Sequence, residues 1–411
     1  MGRIIARSRK TRRLSGGKDR INSMQKAPGK RRKIVIVLIS VFSSIFGIVL
    51  LGILIILINS PGKLPQLKDD QGNVIPGSIA EKVWLEVGGI KQGMFIRGED
   101  PTNPVILYVH GGPGTPMLQF ISYLEKREHH NERLEKYFTV CYWDQRGAGM
   151  TYSRSTDPSK MTVEQMVEDT REVTEYLISR FGQDKIYLLG HSWGSYLGVK
   201  TIEKYPENYL AYIGIGQVSN STESERLSYN YMLSHARDIN DIGAIEKLEK
   251  FDPYAEGFPM LQEEGHQLDY LIARTELLNR YGLGHVRQFP QGMTFNGAIL
   301  RTLFEFKGYT LTEKIGWFLG VDFSMIHLFH IPMDDDLFAS STEFEIPFYI
   351  VHGTYDYQVS QVLAERYLDC LKAPQKEFFK FDNSAHSPNL EEPEKFIEVF
   401  RKIASDSLCE E

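Results

Sequence analysis

Lys185–Ser195 reads KIYLLGHSWGS: a short apolar run, then Gly190-His191-Ser192-Trp193-Gly194, then a stretch that continues with helical character. A G-x-S-x-G between a strand and a helix is a nucleophile elbow. The serine sits on a turn so tight that its close-packed neighbours must be glycine, and the turn lifts the hydroxyl above the sheet, where a histidine can reach it. Five letters prove little alone. With Gly and Ser each roughly 7% of residues, chance produces the pattern in about one chain in ten of this length. Its surroundings decide what it means.

Working outward, solidly apolar runs of the kind buried parallel strands show occur at Val105–Val109, Thr139–Trp143, Ile186–Leu189, Tyr212–Ile215 and Phe348–Val351. Period-two patterns at Lys82–Val87 and Gly93–Arg97 predict an antiparallel hairpin at one sheet edge. Between the runs lie helical patterns; Val163–Phe181 places Met166, Val173, Leu177 and Phe181 near one face. Strands alternating with helices argue a doubly wound, mostly parallel α/β sheet. The alternation breaks over 218–343, a helical stretch rich in aromatics (Tyr229, Tyr231, Trp317, Phe318, Phe323, Phe329) that is far too long for a loop. It reads as a helical cap whose aromatics mostly form its own core, inserted into a core domain of 79–217 and 344–411.

An acyl-transferring serine needs a base, a group to orient the base, and donors for the oxyanion. On an elbow of this type the partners follow in the order serine, acid, histidine. His386 lies in FDNSAHSPNLEEP, a polar loop between the strand-like Glu377–Phe381 and a final amphipathic helix, where the base belongs. His327 and His330 fall in the apolar cap stretch and His352 ends a strand, so they fit less well. Asp356, in IVHGTYDYQVS just after a late strand, is the expected orienting acid. Its rival Asp382 stands only four residues before His386. The expected oxyanion donors are the backbone N–H groups of Trp193 and of Gly112, in the loop Val109-His110-Gly111-Gly112-Pro113-Gly114. Gly111 is the second choice there.

HGGPG, then Asp144-Gln145-Arg146-Gly147-Ala148-Gly149, then the elbow with tryptophan: this trio resembles the proline iminopeptidase family of α/β-hydrolase serine peptidases. The resemblance covers about Ile79–Ser405 without the cap. It implies the α/β-hydrolase fold, a triad of Ser192, Asp356 and His386, an oxyanion hole at Gly112 and Trp193, and no metal or cofactor. It also implies that Asp144–Gly149 shapes the floor of the site, with Arg146 structural. Two departures stand out: Thr151 replaces the family's usual serine, and His191 occupies a position often held by glycine. In the family, cap carboxylates grip the free amine of the substrate. Glu223, Glu225 and Glu276 are the candidates here, although no cap motif singles them out and each also reads as an ordinary solvated residue.

The formal charge of −6 is unevenly spread. Residues 1–33 carry thirteen Lys and Arg against one acid, Asp19, whereas the chain beyond residue 58 holds 34 basic and 52 acidic residues. Positive charge confined to a tail argues against nucleic-acid binding by the folded part. Between them, 34–58 (IVIVLISVFSSIFGIVLLGILIILI) holds no charged residue. About 20 apolar residues cross a bilayer as a helix. The run exceeds a signal-peptide core, and no small-x-small cleavage site follows before Pro61. The expectation is one transmembrane helix, a cytoplasmic basic tail by the positive-inside rule, a Pro- and Gly-rich linker over 59–78, and a catalytic domain outside the cytoplasm. Three cysteines, Cys141, Cys370 and Cys409, make no disulfide framework. Cys141 and Cys370 read as buried thiols, and the sparse count suits a bacterial surface protein.

These features predict a membrane-anchored serine hydrolase acting on short peptides or on small amides and esters, first as an aminopeptidase and alternatively as an esterase or lipase-like enzyme of the same fold. Epoxide hydrolases and haloalkane dehalogenases need a carboxylate where Ser192 stands. A non-catalytic binding module would show a broken triad.

Overall fold

The computed structural model describes residues 28–128, 133–255, 257–258, 266–289 and 293–408, in two units that divide between Ile58 and Asn59. The basic tail before Pro28 and Cys409 lie outside the described residues. The first unit is the helix α1 (Pro28–Ile58). Over Leu38–Ile58 its mean hydropathy is 3.0 and none of it is buried, so it is long and apolar enough to cross a membrane.

The second unit opens with the hairpin β1 (Ile79–Val87) and β2 (Ile90–Gly98), which includes both period-two segments. β3 (Val105–Val109), α2 (Leu118–Glu128), β4 (Thr139–Asp144), α3 (Val163–Phe181), β5 (Ile186–His191), α4 (Trp193–Lys204) and β6 (Tyr209–Ile215) follow. A helical insertion comes next: α5 (Ser221–Asp238), α6 (Ile242–Leu248), α7 (His266–Arg280), α8 (Phe295–Glu305), α9 (Leu311–Leu328) and α10 (Leu337–Ser340). β7 (Phe348–Gly353), α11 (Gln361–Cys370), β8 (Lys376–Phe381), α12 (Pro388–Glu391) and α13 (Pro393–Leu408) complete the unit.

The strands form one eight-stranded sheet, order β1-β2-β4-β3-β5-β6-β7-β8. The β1–β2 and β2–β4 pairs are antiparallel, and every later pair is parallel. The central strands are buried on both faces, which is why they read as unbroken apolar runs. Successive side chains alternate between faces. Leu107, Leu188 and Ile350 pack with α3, α4 and α11 residues such as Val173, Leu197 and Tyr367. Ile106, Leu189 and Val351 pack on the other side with Phe396 and Phe400 of α13. The strand order reverses at β3, with β4 on one side and β5 on the other. Ligand crevices form beyond the carboxyl ends of strands at such a point.

The insertion differs from the expected self-contained cap. Its first half has a core of its own, built on Tyr229, Met232, Leu248, Tyr270 and Leu277. Its second half instead sends Leu303, Phe306, Tyr309 and Trp317 into the core beneath the sheet. The segment expected to be a linker is also docked. The Lys63 N–H donates to the Lys307 carbonyl at 3.0 Å, Pro61 and Thr310 form an antiparallel bridge, and Leu67 is buried. Cys141 is buried in β4 as expected, but Cys370 is exposed. It ends α11, past the Ala364–Leu368 turn that faces the sheet.

Candidate active site

β5 runs directly into Ser192, whose φ of 57° and ψ of −122° place an L-residue in a sparsely populated region. A Cβ on Gly190 would collide with the Gly194 carbonyl, and one on Gly194 with the Val109 carbonyl. Glycine is therefore the residue this turn accepts at both positions. Ser192 caps α4, and Trp193 opens it. The Trp193 N–H thus belongs to the first turn, whose amides lack intrahelical partners and lie at the positive end of the helix dipole.

The loop after β3 lies against the elbow. A Cβ on Gly111 would stand 2.8 Å from the Ser192 Cβ, and Gly112 lines the same cavity as Ser192 and Trp193. Gln145 ties the two loops together. Its side-chain amide donates to the His110 carbonyl at 2.9 Å, and its oxygen accepts from Trp193 Nε1 at 3.4 Å. The His110 imidazole accepts the Gln145 N–H at Nε2 and donates from Nδ1 to the Gly111 carbonyl. Burial lowers its pKa to about 4, so it stays neutral. Arg146 is buried in a bidentate pair with Asp169 and also donates to the Gly88 carbonyl in the hairpin turn, which is a structural placement. The Thr151 hydroxyl accepts from the Gly93 N–H at 2.9 Å and donates to the Asp144 carbonyl, so the retained hydroxyl is in use.

Asp356 follows β7, and His386 follows β8. His386 Nδ1 lies 2.7 Å from Asp356 Oδ2. Asp356 Oδ1 accepts the N–H groups of Gln358 and Val359, both at 2.9 Å. His352 Nε2 approaches Asp356 Oδ2 at 3.0 Å. Burial works against this carboxylate, but the charge of His386 and the hydrogen bonds from His352 and His386 outweigh it and hold its pKa well below the usual range. His386 is buried, and its Nε2 has no hydrogen-bond partner among the described residues. The rival Asp382 is exposed and lies 3.9 Å from Lys395.

Ser192 and His386 line one cavity of about 330 Å³, floored by the two loops and roofed by the insertion. This is the lower end of the range for small-molecule sites. The three candidate cap carboxylates separate here. Glu223 is half-exposed beside Arg226, and Glu276 is exposed and held by Lys247; neither lines the cavity. Only Glu225 does. It is buried, gripped by Arg274 at 2.6 Å through both oxygens, and it also accepts the Tyr270 hydroxyl at 3.2 Å. Glu223 and Glu276 thus lie away from the cavity that holds Ser192, and Glu225 lies at it.

Several residues at the site carry no local sequence signal. His191 Nε2 donates to the His386 carbonyl at 3.0 Å, and the two rings lie 4.9 Å apart. From the insertion, the Gly284 carbonyl accepts the His386 N–H at 3.1 Å, and His285 places its ring edge-on, 6.3 Å from that of His386. Burial, with the nearby charge of His386, lowers the pKa of His191 and of His285 to about 3, so both remain neutral. Glu391 of α12 bridges the two sides: its oxygens accept the Arg287 N–H at 2.6 Å and the Ala385 N–H at 2.7 Å.

Comparison with known proteins agrees with this architecture. Residues 104–244 match the family model of the alpha/beta hydrolase fold. The chain is 32% identical over 331 residues to "Probable aminopeptidase YbaC" of Bacillus subtilis, covering 80% of this chain and 98% of that one. It is 23% identical over 300 residues to a proline iminopeptidase of Lactobacillus acidophilus, covering 73% and 89%. Among solved structures, the proline iminopeptidase of Mycobacterium smegmatis shares the fold with a TM-score of 0.53 at 16% identity, over 80% of this chain and all of that one. With 32% identity along four-fifths of its length to the Bacillus subtilis protein, the chain belongs to the proline iminopeptidase-like family of α/β-hydrolase serine peptidases and is a serine hydrolase.

Proposed function

We propose that this chain is a membrane-anchored aminopeptidase that releases N-terminal residues from short peptides outside the cytoplasm, through an acyl-enzyme on Ser192. One observation carries the reading. His386 has Nδ1 fixed on Asp356, while its Nε2 is buried, unpartnered among the described residues, and part of a cavity it shares with Ser192.

In this mechanism His386 Nε2 takes the Ser192 proton as the oxygen attacks the scissile carbonyl. Asp356 holds the Nδ1–H tautomer and stabilises the imidazolium. The N–H groups of Gly112 and Trp193 receive the oxyanion, helped by the start of α4. His386 then gives its proton to the departing amine. Water, deprotonated by the same imidazole, releases the acyl group. No step needs a metal or cofactor.

One observation favours an esterase of the same fold. Glu225 and Arg274 are the charged groups among the described cavity-lining residues, and each is already neutralised by the other. Among the described residues that line the cavity, no carboxylate stands free for a substrate amine. Aminoacyl arylamides assayed beside short-chain aryl esters separate the two readings: turnover of Pro- or Ala-arylamide supports the aminopeptidase, and ester turnover alone overturns it. The uncharged run 34–58 of α1 and the basic residues before it support anchoring with the catalytic unit outside. Protease shaving of intact cells tests that, and a protected catalytic unit contradicts it.

A further inference from the structure

Among the described residues, five large apolar side chains stand exposed on the second half of the insertion: Leu300 (59%) and Phe304 (40%) on α8, and Ile315 (52%), Phe318 (40%) and, two turns further on, Ile326 (72%) on α9. Leu300 and Phe304 are one turn apart, as are Ile315 and Phe318, so each pair shares a helix face. Lys314, the neighbour of Ile315, joins the two helices. Its ammonium donates to the Phe304 carbonyl at 2.9 Å and lies 5.9 Å from the Phe304 ring centroid. Single exposed apolar residues are ordinary, but a cluster marks something that covers it.

The chain itself indicates the cover. The same Lys314 ammonium donates to the Asn59 carbonyl at 2.7 Å, and Asn59 directly follows the last residue of α1. Two more ties, Pro61 to Thr310 and Lys63 to Lys307, hold residues 59–63 against the start of α9. The catalytic unit therefore has no slack at its entry. The chain thus enters this unit at Asn59, which is already fixed at the Lys314–Phe304 junction. Lys63 and Lys307 are exposed beside it, as the rim of an anionic surface requires. Arg301 is also exposed there, paired with Glu305, and the exposed acid on this face of α9, Asp322, lies a turn beyond Phe318.

We propose that the α8–α9 side of the catalytic unit rests on the outer surface of the bilayer, with Leu300, Phe304, Ile315 and Phe318 at the boundary between headgroups and acyl chains. The proposal rests on α1 being a membrane span. The region Leu311–Met333 is apolar enough in composition to cross a bilayer, yet Trp317, Gly320 and Ser324 are buried within the catalytic unit. A helix packed on one side and apolar on the other lies in an interface rather than across it. The inward side of α9 supplies Val321 and Met325 to the active-site cavity, and Phe329, just past its end, follows them. One helix thus separates the cavity from the membrane, and it would pass amphiphilic substrates between them.

The test uses the full chain in nanodiscs of zwitterionic and anionic lipid, with acyl chains brominated near the headgroup. In a background carrying Cys370→Ser and Cys409→Ser, a fluorophore is attached through Phe318→Cys, through Phe46→Cys in α1, or through Val362→Cys on α11, whose helix packs on the opposite face of the sheet. The proposal expects brominated lipid to quench the Phe318→Cys and Phe46→Cys labels and to leave Val362→Cys unchanged. Quenching at Phe46→Cys without Phe318→Cys overturns the docking and leaves the span standing. No quenching at Phe46→Cys overturns the span and the docking together. Shielding of Phe318→Cys that follows protein concentration and ignores brominated lipid assigns the face to a second copy of the chain, which also overturns the proposal. With a label at Leu300→Cys, adding Ile315→Glu and Phe318→Glu should cut quenching at least threefold, and unchanged quenching counts against it.

Discussion

His352 Nε2 lies 3.0 Å from Asp356 Oδ2, the atom that also receives His386 Nδ1 at 2.7 Å. The same His352 nitrogen is 3.1 Å from the Val359 carbonyl, so both of its neighbours are acceptors and Nε2 carries the proton. His352 is therefore a donor that shares the charge of the orienting carboxylate. A hydrogen bond to a buried charge is worth about 1.5–3 kcal/mol. His352→Phe keeps the ring and removes the donor. It should lower kcat about tenfold with KM nearly unchanged, because the carboxylate that orients His386 loses a donor that fixes it. Steady-state kinetics check this; an intact kcat, or a loss that falls on KM instead, contradicts it.

Ser192 holds its hydroxyl in place at the cost of a positive φ of 57°. Such strain costs on the order of 1–3 kcal/mol, and glycine relieves it. Ser192→Gly should remove activity while raising Tm by about 2–4 °C. Ser192→Ala should lose activity by on the order of 10⁴ or more without that gain. Thermal melts beside activity assays compare the two.

Glu391 provides a pH dependence. Burial raises its pKa from an ordinary 4.5 to about 7, against the pull of the Arg287 and Ala385 N–H groups. Between those values the folded state holds a proton that the unfolded chain has released, so this group costs stability as pH rises from 4.5 towards 7. Glu391→Gln cannot lose that proton. Its Tm should fall less than that of the parent between pH 5 and pH 8, and parallel curves would show that Glu391 does not titrate in this window.

Glu225 and Glu276 should behave oppositely. Glu225→Gln leaves the Arg274 guanidinium buried without its bidentate partner, a loss of about 3–5 kcal/mol in stability. It should also raise KM for every substrate by reshaping the cavity wall. Glu276 is exposed and lies outside the cavity lining. Glu276→Gln should leave KM within about twofold and stability within about 0.5 kcal/mol.

Much of this was readable from local pattern. The elbow, the HGGPG loop and the strand runs each encode their conformation within a few residues, and chain order together with position after the late strands singled out Asp356 and His386. The contacts that complete the site bring distant segments together. His352 and Asp356 are four residues apart, but their meeting depends on how the chain turns after β7. His191 and His386 are separated by the whole insertion and three strands, and the Arg274 partner that occupies Glu225 comes from a different helix. Composition also misjudged Ser60–Ser78, because its prolines and glycines mark irregular backbone without revealing whether that backbone is docked. Cys370 looked buried because helical periodicity does not say on which side the last turn falls.

The most direct test of the central claim is intact-protein and peptide mass spectrometry after treatment with a fluorophosphonate. The account predicts one adduct, on the peptide carrying Ser192, absent in Ser192→Ala and strongly slowed in His386→Ala and Asp356→Asn. An unlabelled folded protein, or an adduct on another serine that persists in Ser192→Ala, would contradict it.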